Sequence, residues 1–499
     1  MPRMELDPGT CYRAIRSRDP RFDGRFFTAV RSTGVYCRPI CPARTPLLRN
    51  VRFFACAAAA EAAGFRPCRR CRPETSPGTP GWMGASATVA RALRLIEQGG
   101  LDHQDLERFA RRLGIGSRHL RRLFLEHLGA PPVAVARTRR AHFARRLLDE
   151  TRLPMGEVAF AAGYESVRQF NHDVREIFRL TPSALRRAAP APAAGDGALA
   201  LRLPFRPPYD WQAISGFLAA RAVPGLERVE DGVYRRTFRG RGGSGVLEVA
   251  PDVGGHALRL RVAHAGTSDL LEIVRGARRL FDLDADPTTI AARLAGSPRL
   301  RRAVAARPGL RVPGAWDPFE TAVRVILGQQ VSVQAATTLC ARLVAAYGEP
   351  LRAARGPELS LLFPSARRLA ESDLAAVRMP GARKRAIRAL ATEVAAGRLS
   401  FDGAGSLDQL LARLREIPGV GEWTAQVIAM RCCGEPDAFP AGDLGVRQAL
   451  SRAGRAPSIP EALRIAEDWR PWRAYACMHL WIHSASTKRP RRKEPRHAS

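Results

Sequence analysis

The chain has 499 residues, 45% of them hydrophobic, enough for the cores of several domains at roughly 100 to 200 residues each. Its net charge of +33, from 80 Lys and Arg against 47 Asp and Glu, calls for a polyanionic partner, because each cation placed on a phosphate releases condensed counterions. No stretch approaches the ~18 to 20 apolar residues of a membrane span and the N-terminus has no apolar signal core, so the expected partner is nucleic acid, with no membrane, and the expected compartment is the cytoplasm.

In chain order, the first chemistry lies in "GVYCRPICPARTP" and "RPCRRCRP", which set Cys37, Cys41, Cys68 and Cys71 in two close pairs. Four soft thiolates at this spacing favour tetrahedral zinc; a purely structural zinc knot has the same spacing. The other six cysteines, Cys11, Cys56, Cys340, Cys432, Cys433 and Cys477, lack ligand spacing and read as ordinary core or surface residues. Residues 72–86 and 189–198 are rich in Pro, Gly, Ala and Ser and read as linkers.

The segment "FFTAVRSTGVYCRPICPARTPLLRNVRFFACAAAAEAAGFRPCRRCRPE" resembles, nearly end to end, the N-terminal zinc domain of the Ada adaptive-response proteins. The resemblance implies a small α+β zinc domain over residues 1–75 with one Zn(II) on Cys37, Cys41, Cys68 and Cys71. It further implies that Cys37 irreversibly accepts a methyl group from a DNA methylphosphotriester, with Arg44 and Arg66 near the DNA backbone. The Pro-Cys-His-Arg acceptor motif for O6-alkylguanine is not in the sequence, so that activity is not expected.

Residues 85–187 have helical periodicity and a repeated device: Ala110 then Gly114, Ala159 then Gly163, each followed by a Ser-started amphipathic run. In a helix-turn-helix the small residue lets two helices approach, Gly takes the turn and Ser caps the second helix. The expected recognition helices start near Ser117 and Ser166 and expose Arg118, His119, Arg121 and Arg122 in the first, and Arg168, Gln169, Asn171 and Arg175 in the second. Arg, Asn and Gln read base edges in the major groove. A solvated helix face shows the same residue types. The region resembles the all-α, double helix-turn-helix DNA-binding domain of the AraC family, which implies promoter DNA and RNA polymerase as partners. Two units on one chain cover two major-groove faces, so a monomer is expected.

Residues 199–305 alternate strands such as "VYRRTFRG" and "ALRLRVAHA" with a helical run, an α+β layer. Residues 306–485 are helical, and "LREIPGVGEWTAQVIAM" sets Gly419 and Gly421 between two helices, a hairpin whose backbone N–H groups can approach a phosphate. "FPAGDLGVRQAL" follows, with Asp443 at a helix start; a plain helix cap is the bland reading.

Together with "DPFETAVRVILGQQVSVQAATTL" and "WRPWRAYACMHLWI", these motifs resemble the AlkA-type alkylpurine DNA glycosylases from residue 199 to about 485. The resemblance implies that Asp443 is catalytic, that Trp423 and Trp481 stack on the flipped base, and that alkylated double-stranded DNA is bound. It also implies a monovalent cation at the hairpin. Where some relatives carry a Schiff-base lysine this chain has Trp423, so hydrolysis without strand nicking is expected. Val427 and Leu444 stand where relatives have pocket tyrosines, and Gln330 where a leucine acts as a wedge. The residues from 486 to 499 read as a basic arm. The whole implies an alkylation-response protein of the bacterial nucleoid; the competing reading is a methylation-sensing regulator whose C-terminal half binds damaged DNA without turnover.

Overall fold

The computed structural model describes residues 7–77, 87–188, 198–263, 266–351, 358–403, 405–452 and 454–487. The basic arm expected from residue 486 lies, from residue 488 on, outside the described residues. No described helix is long and apolar enough to cross a membrane.

The first unit is a four-stranded sheet in the order Val51–Phe54, Phe27–Val30, Val35–Cys37, Arg66–Pro67. Phe27, Ala29 and Tyr36 point inward against Ala57 and Ala60 of the helix Ala57–Ala62, while Ala58 and Ala59 are buried in the core of the first helix-turn-helix unit. A run of alanines lets that helix sit close to the strands. The strand Arg66–Pro67 pairs in parallel with Val35–Cys37, Val35 facing Arg66 and Tyr36 facing Pro67. This register carries Cys68 to the strand end at Cys37.

Two helix-turn-helix units follow. The first pairs Leu106–Arg112 with Ser117–Leu128, the second Met155–Ala161 with Val167–Phe178, and the long helix Pro132–Glu150 joins them. Ala110 and Ala159 are fully buried at the helix crossings. Gly114 and Gly163 take φ of +73° and +87°, which L side chains rarely adopt. Ser166 caps its helix, its Oγ accepting from Gln169 N at 3.1 Å. Ser117 does not: Gly116 is the cap, and Ser117 begins the helix and donates to Glu107.

The stretch expected as a linker from residue 72 is ordered at its start. Pro73 and Glu74 are buried, and Arg72 bridges Glu74 and Asp149 of the long helix. On the other side, Tyr36 Oη donates to Glu61 Oε1 (2.7 Å), and Thr138 Oγ1 donates to Glu61 Oε2 (2.5 Å). The zinc unit is thus tied at two points to the helix that joins the recognition units.

An antiparallel sheet runs in the order Leu199–Pro204, Ala257–Ala263, Gly243–Pro251, Val233–Gly240, Glu227–Glu230. Alternating Leu201, Leu203, Leu258, Leu260, Leu247 and Val249 make its inner face. Phe143 and Leu147 of the long helix and Phe170 and Val174 of the second helix-turn-helix unit share one apolar core with this sheet and with the helix Leu270–Leu280. Residues 85–187 and 199–305 are therefore not separate beads on a linker. The remaining helices bury a second large core around Ile326, Leu343, Ile428 and Trp469, with a two-residue ladder of Glu349–Pro350 and Leu361–Leu362 as a small addition to the all-α expectation. The six cysteines outside the cluster are all buried.

Asp102 fastens the two halves. It accepts from Arg139 Nη2 at 2.5 and 2.6 Å, from Arg140 at 3.3 Å and from Arg275 at 2.8 Å, and its side chain is 4% exposed. Burial alone raises its pKa, but Arg139 and Arg275 outweigh that and hold the carboxyl below its ordinary value. A depressed carboxyl stabilises the fold above its unfolded pKa, and that stability is lost as pH falls through the folded value, so this clamp weakens only below about pH 4. Asp102→Ala leaves three guanidiniums without their shared carboxylate; we expect a loss of ~3 to 5 kcal/mol at pH 7, read by urea denaturation, with a difference from wild type that shrinks in acid.

Candidate zinc site and base pocket

Cys37 ends a strand, Cys68 follows the parallel strand, and Cys41 and Cys71 lie in the turns after each. The four Sγ atoms all lie within 4.8 Å of one another. A tetrahedron with Zn–S of about 2.3 Å puts sulfurs about 3.8 Å apart, so the set fits zinc without rearrangement of the backbone. Contact with Cys41 and Cys68 pushes the Cys37 thiol above its ordinary pKa, and four sulfurs packed this closely repel one another as thiolates, a repulsion that a bound cation offsets.

The four sulfurs are not equivalent. Arg38 N donates to Cys71 Sγ at 3.3 Å and Arg70 N to Cys68 Sγ at 3.4 Å, whereas among the described residues Cys37 Sγ and Cys41 Sγ have no such bond. A sulfur that donates none of its electron density to an amide is the better nucleophile. Arg38, not singled out from sequence, holds the loop: its guanidinium binds Asp23, Cys71 O (3.2 Å) and Thr75 Oγ1 (2.7 Å). Only its place beside Cys37 hinted at this. Arg44 is exposed and Arg66 half-buried.

The recognition helices present Arg118, His119, Arg121 and Arg122 in the first, and Arg168, Gln169 and Arg175 in the second, to solvent; Asn171 is half-buried. Arg122 Nη2 lies 3.0 Å from His119 Nδ1.

In the C-terminal half, the hairpin between Leu407–Arg415 and Glu422–Cys432 turns at Gly419, with φ +83°. A Cβ there would lie 2.7 Å from Ala386 Cβ, so the glycine is required both for conformation and for close packing. Its carbonyl accepts from Gln329 Nε2 at 2.9 Å. Gly421 is the cap of the second helix, without a side-chain hydrogen bond, and a Cβ on it would meet open space. The first amides of that helix are left for an outside acceptor.

The second residue of the same helix is Trp423. Its Nε1 donates to Asp443 Oδ2 at 2.9 Å, and Trp481 Nε1, from the helix Arg473–Thr487, donates to Asp443 Oδ1 at 2.9 Å. Asp443 also caps Leu444–Ala449, its Oδ1 accepting from Val446 N at 3.0 Å. The cap and the indole pair together fix the carboxylate at the wall of a cavity of about 620 Å³. Trp423, Trp481 and Val427 line that cavity. Leu444 does not: as the first residue of the helix that Asp443 caps, it turns away and is 63% exposed. Gln330 is exposed too, at φ +55° on the turn before the helix Val333–Tyr347, while its neighbours Val331 to Val333 edge the cavity. Lys384 is not among the lining residues.

Sequence reasoning missed the far wall. Phe217 stands there with Arg221 stacked on its ring, Cζ 3.6 Å from the centroid, and Arg431 at 5.0 Å. Arg236, Arg324, Glu227 and Glu320 form a closed, buried ion cluster beside them. These residues come from four separate stretches of sequence, and no local motif marks them.

The fold and these two sites define a DNA-binding protein in which a zinc–cysteine unit and tandem helix-turn-helix units are joined to a base-excision glycosylase fold. Family models match in the same order: the metal binding domain of Ada at residues 10–74, a helix-turn-helix domain at 109–188, the AlkA N-terminal domain at 200–317, and the HhH-GPD superfamily of base excision DNA repair proteins at 323–474. The probable bifunctional transcriptional activator/DNA repair enzyme AlkA of Mycobacterium tuberculosis is 48% identical over 96% of this chain and 97% of its own. DNA-3-methyladenine glycosylase 2 of Escherichia coli is 39% identical over 56% of this chain and 95% of its own. The solved 3-methyladenine DNA-glycosylase of Archaeoglobus fulgidus, 21% identical, shares the fold over 58% of this chain and 99% of its own with a TM-score of 0.51. The chain belongs to the family of fused Ada–AlkA proteins.

Proposed function

We propose that this protein repairs DNA alkylation in two ways and reports it in a third. The carrying observation is Asp443, both oxygens of which are held by indole N–H groups at the wall of a base-sized cavity beside a phosphate-approaching hairpin. A purine alkylated on a ring nitrogen is cationic and already a good leaving group. What the site must add is access to the base, by flipping it from the stack, and a carboxylate beside the cationic sugar. The N-glycosidic bond breaks with its electron pair leaving on the base; water adds to C1′ and its proton passes to Asp443. Trp423 and Trp481 keep the carboxylate oriented and offer ring faces to the cationic base, worth ~0.5 to 2 kcal/mol. No lysine stands at the cavity wall among the described residues, which supports hydrolysis without lyase chemistry.

In the N-terminal unit Cys37, Cys41, Cys68 and Cys71 hold zinc, which keeps the sulfurs as thiolates at neutral pH. The Cys37 thiolate attacks the methyl carbon of a methylphosphotriester. An S–C bond forms, the C–O bond breaks, and the phosphodiester oxygen leaves with the electron pair. Four thiolates on zinc carry a formal charge of about −2 and three about −1, so methylation weakens repulsion of DNA phosphates and strengthens promoter binding by the two recognition helices. Activation then engages RNA polymerase, and a single chain suffices. We place Arg44 and Arg66 at the backbone of the damaged strand, and a monovalent cation at the hairpin carbonyls. Incubating the zinc-loaded chain with methylphosphotriester DNA should raise its intact mass by one methyl group, and incubating it with 3-methyladenine DNA should release free base. A chain that takes up the methyl group and binds 3-methyladenine DNA but releases no base is instead a methylation-sensing regulator whose C-terminal half binds damaged DNA without turnover.

A further inference from the structure

The cavity at Asp443 is much larger than its two indoles need, and its far wall is cationic. Arg221 and Arg431 flank Phe217 and line the cavity. Their hydrogen bonds go only to carbonyls: Arg221 Nη1 to Phe217 O (3.1 Å), Arg431 Nε to Pro313 O (3.0 Å) and Nη2 to Gly314 O (3.4 Å). The nearby carboxylates are already committed, Glu320 to Arg236 (2.8 Å) and Arg324 (2.6 Å), Glu227 to Arg324 (2.6 Å). Among the described residues no carboxylate pairs with Arg221 or Arg431. Burial and the neighbouring Arg431 push the Arg221 guanidinium down to about 9. Two half-buried guanidiniums without an anion are costly, and both line the same cavity.

Val427, small and buried, stands on the cavity wall between the helix start at Trp423 and Arg431 on the same helix. The adjoining walls at Ala213, Gly216, Ala336 and Thr337 are also small. A base seated against Trp423 and Trp481 thus leaves room for a substituent longer than methyl, running toward two cations.

We propose that Arg221 and Arg431 form an anion subsite of the base pocket, which seats the carboxylate of purines alkylated on a ring nitrogen by a carboxyalkyl group. The assignment rests on the glycosylase reading of Asp443. The reaction is the same hydrolysis, with the carboxylate untouched; the subsite adds charge-assisted hydrogen bonds to it.

The test compares duplex DNA carrying carboxymethyl, carbamoylmethyl or methyl groups on purine ring nitrogens, with released bases quantified by chromatography. Carbamoylmethyl has the shape of carboxymethyl without its charge. For the wild-type chain we expect kcat/KM for carboxymethylpurines to exceed that for carbamoylmethylpurines by roughly tenfold or more, the size of a buried hydrogen bond to a charged group. Arg431→Gln and Arg221→Gln should each bring that ratio toward one, and Arg431→Lys should retain part of it; a ratio is insensitive to a general loss of active protein. Equal or slower release of carboxymethylpurines by wild type overturns the subsite, as does a ratio unchanged in both glutamine variants. Failure to release even methylpurines refutes the glycosylase reading instead.

Discussion

Asp443→Asn should lower excision of 3-methyladenine by roughly 10² to 10⁴-fold in kcat, the range set by removal of a preorganised charge and of a proton acceptor together. The geometry makes the substitution a sharp one. Asp443 receives N–H groups on both oxygens, from Trp423 and Trp481. Asparagine offers one oxygen and one NH₂, so whichever way the amide is turned, one indole N–H faces another donor. Turned with its oxygen toward Val446 N, the amide keeps the helix cap and Trp481 and loses Trp423; the lost hydrogen bond should cost ~1 to 3 kcal/mol of stability. Binding to DNA with an abasic site, by contrast, should fall little, because the hairpin amides at Gly421 are untouched. Single-turnover release and binding, measured on the same preparation, separate the two effects. Excision within a few-fold of wild type would remove Asp443 from the chemistry and leave it a helix cap.

Cys37→Ser should abolish methyl uptake altogether. A serine hydroxyl at this pH is neither a thiolate nor a soft zinc ligand, so the step loses its nucleophile rather than a part of its stabilisation. Cys41, Cys68 and Cys71 remain, Cys71 tied by Arg38 at both its sulfur and its carbonyl, and the variant should keep zinc at reduced affinity. Intact mass after incubation with methylphosphotriester DNA, with zinc measured on the same sample, reads both. Cys56→Ala is the control: Cys56 is buried under the first helix-turn-helix unit, outside the cluster, and its loss should leave uptake intact. Methyl found on the serine variant would move the acceptor to another cysteine.

The sequence carried much of this site. Cysteine spacing named the four ligands, and the structure brings their sulfurs together. The paired Ala and Gly at 110 and 114, and at 159 and 163, marked both turns, since a fully buried small side chain and a positive φ are each demanded by residue type. The hairpin glycines, Asp443 and the two tryptophans were legible from motifs, and the structure brings them to one wall. Sequence was weaker where two residues compete for one role. Ser117 looked like a cap, yet Gly116 takes that place, because serine at the next position found Glu107 instead. Leu444 looked like a pocket residue, yet a helix capped by a pocket-facing Asp turns its first side chain outward.

What lies between the domains was not legible. Composition marked residues 72–86 and 189–198 as breaks, and breaks suggest independent modules. Glu74 is instead buried against the long helix, Asp102 gathers guanidiniums from two domains, and Phe143 and Phe170 share a core with the sheet that begins at Leu199. By itself the sequence determined the domain set and the four-cysteine cluster and named the candidate reacting groups, because each depends on residue type at short, fixed spacing. Tertiary structure alone decided how Arg221 and Arg431 come to line one cavity, which sulfurs accept an amide, and how the recognition helices are anchored to the repair half. Those features depend on contacts between segments far apart in the chain, where burial and charge pairing, rather than local period, select the partners.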